Sequence, residues 1–518
     1  MKRLSKKIIA SIVFFIIISA VLGITIFEIR TNIIFNKIWH NLSSVFGFVF
    51  TIYIFFIGIV IFFENKNPSK TIAWLLVLFL LPIVGFIFYM LFGQNTRKKK
   101  TFKKKKDLEF KFLKSIAKNQ KEILKEVKLF DNDNSLVKSK LINLLLNNSN
   151  APFTVNNRVK VLTNGKKTFS AIIEELKKAK HHIHMEYFII KCDDIGNKIK
   201  DILKDKAASG IKVRVIYDSV GSWRLSKDYI EELRNSGVEI YPFYPVMFPV
   251  LSRELNYRNH RKIVVIDGKV GFVGGLNIGD EYLKGSRKLG FWRDTHLKVE
   301  GEAVYSLQNI FLKDWHFVSK QFISDEVYYP KLDYCGEQLV QITSSGPDSD
   351  WEVILQAYFT MITTAEEKIW ITTPYLVPDE SISMALKIAA LSGVDVRIII
   401  PNKPDHYLVY WASRANIEEL LKAGVKIYTY EKGFIHSKIL LVDSIGASIG
   451  TANLDIRSLR INFEVNAFIY DEEFVKRLER DFIQDLKDSK EIILEEFSKR
   501  SIYNKFMESL GKLFSPLL

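Results

Sequence analysis

HRKIVVIDGKVGFVGGLN (260–277) and HSKILLVDSIGASIGTAN (436–453) decide the architecture of this chain. Both begin with His-x-Lys-x-x-x-x-Asp: His260, Lys262 and Asp267 in the first copy, His436, Lys438 and Asp443 in the second. Both close at the same interval on a small-residue turn ending in asparagine, Gly274, Gly275 and Asn277 in one and Gly450, Thr451 and Asn453 in the other. One copy would say little, because histidine, lysine and aspartate are common near strand ends. Two copies in equivalent contexts point to a composite site. Two imidazoles and two ammonium groups suit chemistry on a phosphate diester.

Outward from the motifs, the repeat continues. KKAKHHIHMEYFII (177–190) matches TAEEKIWITTPYLV (364–377), a charged helix end followed by a strand. GIKVRVIYDS (210–219) matches GVDVRIIIPN (393–402), and ELRNSGVEIYPF (232–243) matches ELLKAGVKIYTY (419–430); each pair places a glycine helix stop before a β-branched run. Helical and strand patterns alternate, which predicts an α/β fold of two pseudo-symmetric halves with central mixed sheets. IVVI (263–266) and ILLV (439–442) have the unbroken apolar character of strands buried on both faces. A strand conformation through each motif would put His260 with Lys262, and His436 with Lys438, on one face. Asp267 precedes Gly268, so both motif aspartates are read as turn residues that fix the loop. His181, His182 and His184 fit a strand entering the sheet better than a metal cluster, and Glu186 on the same face lies within reach of the site.

The N-terminal region is a different material. Three apolar runs, 8–27, 43–63 and 72–93, each have about the length that crosses a hydrocarbon core of roughly 30 Å. They predict two or three transmembrane helices within residues 1–96, a multi-pass membrane protein. RKKKTFKKKK (97–106) follows at once and carries much of the formal net charge of +16. By the positive-inside rule it outweighs Lys2, Arg3, Lys6 and Lys7 and places the C-terminal part in the cytoplasm. A basic linker is expected over 97–150, the first half over 151–332 and the second over 333–518. The two cysteines, Cys192 and Cys335, give neither a disulfide framework nor a zinc cluster.

With its GGLN and GTAN tails, the duplicated motif resembles the phospholipase D superfamily. Within it the chain resembles the bacterial cardiolipin synthases, through HIHMEYFII (182–190), FWRDTHLKVEG (291–301), TTPYLVPDESI (372–382) and GTANLDIRSLRINFEVN (450–466). That resemblance implies transfer of a phosphatidyl group between two phosphatidylglycerols, with glycerol released. Phospholipase D activity, or transfer to another alcohol, is the alternative it also allows. It implies a nucleophilic histidine, assigned by analogy to His260, and an acid, His436. Lys262, Lys438, Asn277 and Asn453 would bind phosphate oxygens. Asp294 and Glu464 occupy the places of the acidic residues that orient each imidazole across the pseudo-dyad. The resemblance implies no metal and no other cofactor. The expected partners are phosphatidylglycerol and anionic membrane lipids, not nucleic acid.

Overall fold

The computed structural model describes residues 111–126 and 135–515 apart from 245–256 and 445, together with scattered positions between 45 and 89. The chain divides into two compact units, Met1–Thr96 and Arg97–Leu518. In the first unit the helix Pro68–Leu80 opens on a proline, whose missing N–H costs nothing in a first turn. Ile61, Leu78 and Tyr89 are buried together, and Trp74 meets the Tyr89 ring edge-on at 5.3 Å between centroids. Phe48, Phe55, Phe56, Phe62, Phe63 and Phe79 point outward and are exposed. Among the described residues no helix is long and apolar enough to cross a membrane. The apolar run 8–27 and the basic run 97–106 lie outside the described residues.

The second unit holds two sheets of matching topology. In the first half the strands are β1 (Asn157–Thr163), β2 (His182–Tyr187), β3 (Lys212–Asp218), β4 (Glu239–Phe243), β5 (Ile263–Ile266), β6 (Val270–Gly274) and β7 (Thr295–Gly301), in the spatial order β1-β7-β6-β5-β2-β3-β4. In the second they are β8 (Val340–Ser345), β9 (Lys368–Thr372), β10 (Asp395–Pro401), β11 (Lys426–Tyr430), β12 (Ile439–Val442), β13 (Gly446–Gly450) and β14 (Glu464–Ile469), in the order β8-β14-β13-β12-β9-β10-β11. Phe153–Thr154 and Ser489–Glu491 add short strands at the two edges of the second sheet, giving nine strands against seven. In each sheet the helix-connected strands pair in parallel and the motif hairpin pairs antiparallel, so both sheets are mixed.

The motif strands have no exposed face. Ile263 and Val265 of β5 face the other half, in one core with Leu441, Ile449, Val465 and Ala467. Their neighbours Val264 and Ile266 face the outer helices of the first half. Leu440 and Val442 do the same in the second. The helices Ala303–Ser319 and Glu472–Lys487 complete the central core with Leu307, Phe474, Leu478 and Phe482. Each such buried side chain contributes about 1.5–3 kcal/mol, so the halves form one body rather than tethered domains.

The stretch expected as a basic linker is helical where described, over Lys111–Glu126 and Ser135–Ser149. The second helix buries Leu141, Ile142, Leu145 and Leu146 against Val353, Ile354 and Tyr358 of the second half. Gln120 ties the first helix down: its Nε2 donates to the Phe153 carbonyl at 2.7 Å, and its Oε1 accepts from the Phe153 N–H at 3.1 Å.

Asp267 and Asp443 sit in the turns beyond β5 and β12. Their backbones are left-handed (φ 54° and 51°), as are those of Gly268 (65°) and Ser444 (54°), the geometry of a type I′ turn. Asp267 accepts the N–H groups of Lys180, His181 and His182 at 2.8–2.9 Å. Asp443 accepts those of Glu366, Glu367 and Lys368 at 2.7–2.9 Å. Each carboxylate thereby pins the entry of the neighbouring strand. Asp267→Ala and Asp443→Ala should each destabilise the second unit by about 2–3 kcal/mol, because three charge-assisted bonds are lost. Denaturant unfolding of the purified chain measures this, and an unchanged midpoint would show that the turns hold without them.

Candidate active site

β5 runs antiparallel to β2, with Ile263 opposite Glu186, and β12 runs antiparallel to β9, with Ile439 opposite Thr372. The start of each motif strand therefore lies beside the carboxyl ends of the parallel strands, the edge where α/β sheets bind ligands. The strands begin only at Ile263 and Ile439, so the expectation that the histidines lie within a strand of their own sheet is corrected. The reason is a backbone exchange between the halves. The His260 N–H donates to the Phe463 carbonyl at 2.9 Å, and the Phe463 N–H to the Arg258 carbonyl at 2.8 Å. Gly433–Ile435 pairs in parallel with Phe291–Arg293, and the His436 N–H donates to the Arg293 carbonyl at 2.7 Å.

That exchange fixes what each imidazole meets. The residue after Phe463 is Glu464, and its carboxylate lies 2.9 and 3.0 Å from His260 Nδ1. The residue after Arg293 is Asp294, and its Oδ2 lies 2.7 Å from His436 Nδ1. Each half thus supplies the acid for the other half's histidine. With Nδ1 engaged, Nε2 is the nitrogen left for chemistry.

Lys262 and Lys438 are buried beside the histidines, and each Nζ donates to the carbonyl of its own motif histidine, for Lys262 at 2.7 Å. Asn277 bridges outward: its Oδ1 accepts from the Ile189 N–H at 3.3 Å and its Nδ2 donates to the Tyr282 hydroxyl at 3.2 Å. Asn453 is buried, and its Oδ1 has no hydrogen-bond partner among the described residues. Asp267 and Asp443 are not brought to the site. They stand at the far ends of the four-residue strands β5 and β12, roughly 13 Å away at about 3.3 Å per residue.

The turns that carry the asparagines differ between the halves. A Cβ on Gly275 would lie 2.2 Å from Asp294 Oδ1, so only glycine admits this carboxylate. Thr451, one residue after Gly450, instead donates its hydroxyl to Glu464 Oε2.

Burial dominates the electrostatics. It lowers Lys262 to about 7 and Lys438 to about 8, against the pull of Glu464 and Asp294. It lowers His260 to about 4 despite Glu464. Burial, then the charges of Lys438, Lys262 and His260, holds His436 well below its ordinary value. Burial raises Asp294 to about 6. At Glu464 burial acts upward too, but His260 and Lys262 outweigh it and the net shift is downward. Near neutrality burial therefore favours neutral imidazoles and leaves the two lysines close to their titration points beside the two carboxylates.

Several residues support the site from behind. Arg261 donates from Nε to the Glu464 carbonyl at 3.2 Å and pairs with buried Asp314. Arg293 donates from Nη1 to the Asp294 carbonyl at 2.7 Å and pairs with Asp485 at 2.8 Å. Each acid-bearing backbone is thus clamped to a buried aspartate on the helix that closes its half or its partner. Phe188 stands edge-on to His260, with 5.0 Å between ring centroids. Trp292 and Phe434 flank His436 at 5.6 and 6.0 Å. Glu186 does not reach the site: its carboxyl accepts from Asn259 Nδ2, and burial and the Asp314 charge push it well above the usual carboxylate range. The segment FWRD (291–294) carries both Arg293 and Asp294 and is the signal in the sequence for their pairing.

Residues 172–315 and 358–486 match the family described as cardiolipin synthase, PLD-like domain, and residues 51–94 match the phospholipase D-nuclease N-terminal family. The chain is 51% identical to a cardiolipin synthase of Alkalihalophilus pseudofirmus, covering 91% of this chain and 93% of that one. It is 50% identical to one from Halalkalibacterium halodurans, over 93% of this chain and 96% of that one. Against one from Listeria monocytogenes serotype 4b the identity is 45%, over 90% and 97%. Among solved structures, phosphatidylserine synthase of Haemophilus influenzae Rd KW20 superposes with a TM-score of 0.56 at 16% identity, over 75% of this chain and all of that one, which is a likeness of fold. With both halves matched and half of all positions identical over most of its length, the chain belongs to the cardiolipin synthase family of phospholipase D-like proteins.

Proposed function

We propose that His260 and His436 divide the work of a phosphatidyl transfer between them. The chain is a cardiolipin synthase, a phosphatidyltransferase acting on phospholipid. In the proposed sequence, His260 Nε2 attacks the phosphorus of one phosphatidylglycerol and forms a phosphohistidine. His436 Nε2 gives a proton to the departing glycerol. It then takes a proton from the terminal hydroxyl of a second phosphatidylglycerol, whose oxygen displaces His260 from phosphorus. One phosphodiester replaces another, so the sequence needs no nucleotide. The observation that carries this reading is the crossed pairing of each imidazole Nδ1 with a carboxylate of the opposite half. It holds both rings in the tautomer that presents Nε2.

In the same reading Lys262, Lys438, Asn277 and Asn453 stabilise charge on the nonbridging oxygens. Glu464 and Asp294 keep the two imidazoles in position. His436 must be protonated to act as acid, and the substrate itself brings this about: a phosphodiester anion placed among these groups raises their affinity for protons.

The N-terminal unit is proposed to span the membrane, leaving residues 97–518 in the cytoplasm. Exposed Phe48, Phe55, Phe56, Phe62, Phe63 and Phe79 support this, since such a surface suits hydrocarbon rather than water.

His260→Ala and His436→Ala are each expected to abolish cardiolipin formation from phosphatidylglycerol vesicles without nucleotide, measured by lipid mass analysis. Acid quenching should trap phosphate on His260; a phosphopeptide containing His436 alone would reverse the two roles. Binding of inorganic phosphate or tungstate at pH 7 should take up about one proton per site, and affinity should fall as pH rises. Calorimetry in two buffers of different ionisation enthalpy reads the uptake, and buffer-independent heats would contradict the charge balance described above. For the membrane, a cysteine near Thr101, with Cys192 and Cys335 replaced, should resist an impermeant thiol reagent on intact cells. Labelling from outside would place the catalytic part on the other face.

A further inference from the structure

The two halves match in histidine, lysine and acid, yet the reaction treats them differently. The alcohol that leaves and the alcohol that enters both meet the acid, on the side of phosphorus opposite the nucleophile. If His436 is that acid, a place for an alcohol should lie on its side and not on the side of His260.

Such a place exists at the carboxyl ends of β9 and β10. A small cleft open to solvent is bounded by Tyr375, Lys403, Asp405, Arg414, Ile417 and Phe434. Phe434 forms its wall toward the motif, with its ring 6.0 Å from that of His436. Ile400 and Ile417 give an apolar floor. The polar feature is Asp405: one carboxylate oxygen accepts from the Tyr375 hydroxyl, and the other from the His406 N–H at 2.7 Å. His406 Nε2 stands 3.9 Å from the first of these oxygens, on an exposed ring. A carboxylate offers about four lone-pair positions, so Asp405 retains acceptor capacity toward the cleft. Arg414 is turned away by its pairing with Glu508 at 3.2 Å, which leaves Lys403 as the cation at the rim.

At the corresponding edge of the first half the described residues pack closely. Asp218, at the end of β3, is buried and spends its carboxylate on the N–H groups of Val220, Gly221 and Asn259 at 2.8–2.9 Å. Phe188 covers His260, and a Cβ on Gly221 would lie 2.3 Å from the Phe188 carbonyl oxygen.

We infer that the cleft beside Phe434 is the acceptor subsite, in which Asp405, oriented by Tyr375, accepts a hydrogen bond from the central hydroxyl of a phosphoglycerol headgroup. This rests on the phosphohistidine reading above and extends it to the choice of alcohol. A carboxylate repels phosphate, so the headgroup enters hydroxyl end first and its own phosphate stays at the rim by Lys403. The terminal hydroxyl then reaches phosphorus beside His436. Its proton passes to His436 Nε2, its oxygen bonds to phosphorus, and the phosphorus–Nε2 bond to His260 breaks. An alcohol with no second hydroxyl leaves Asp405 without that bond.

The test is a competition between acceptors. Full-length enzyme in phosphatidylglycerol vesicles containing 1-butanol forms both cardiolipin and phosphatidylbutanol. Asp405→Asn and Tyr375→Phe are expected to lower the ratio of cardiolipin to phosphatidylbutanol by about ten-fold or more, because discrimination by a buried hydroxyl contact is lost. General damage to folding lowers both products together and leaves the ratio alone. A ratio within about two-fold of wild type in both variants overturns the subsite. Failure of the wild-type enzyme to label His260 would instead overturn the phosphohistidine reading, whatever the ratio.

Discussion

The short parallel pairing that crosses from one half to the other is the constraint on which the site depends. It involves few backbone bonds, at Arg258, His260 and Phe463 on one side and at Gly433–His436 and Phe291–Arg293 on the other. Because the residue after each crossing strand is an acid, the pairing delivers Glu464 to His260 and Asp294 to His436. Its geometry is maintained by the apolar core between the sheets, where Ile263, Val265, Leu441 and Val465 meet. Core and site are thus one problem: a shift of one sheet over the other would part both acids from both imidazoles at once.

The lysines show what that core costs. An ammonium out of water is destabilised by several kcal/mol, and Lys262 and Lys438 are drawn down toward neutrality by burial. Glu464 and Asp294 offset part of this, so the same carboxylates orient the imidazoles and hold the lysines from falling further. An anion completes the balance.

Much of this was legible in the sequence. The duplicated motif with its tails gave the two halves, and periodicity gave the strands. Asp294 and Glu464 came from family resemblance, since their distance from the histidines follows no local spacing rule. The conformation at the motif was not legible. Apolar IVVI and ILLV suggest a strand running through the histidines, but the partner of that backbone lies in the other half, beyond any local pattern. Leu141 and Leu145 have helical spacing, but nothing nearby shows that their helix packs on Val353 and Tyr358, some two hundred positions on. Arg261 was hidden for a related reason: its partner Asp314 is an ordinary aspartate on a helix until the fold brings it in.

The unequal turns under the two acids limit how such a protein can change. Asp294 fits because position 275 carries no side chain, and Glu464 is steadied by the hydroxyl of Thr451. Acid and turn residue therefore form a matched set on each side. A side chain at 275 collides with Asp294, and loss of the Thr451 hydroxyl leaves Glu464 without that donor. The near-symmetry inherited from duplication is consequently locked into two different solutions, and drift from one to the other requires paired substitutions.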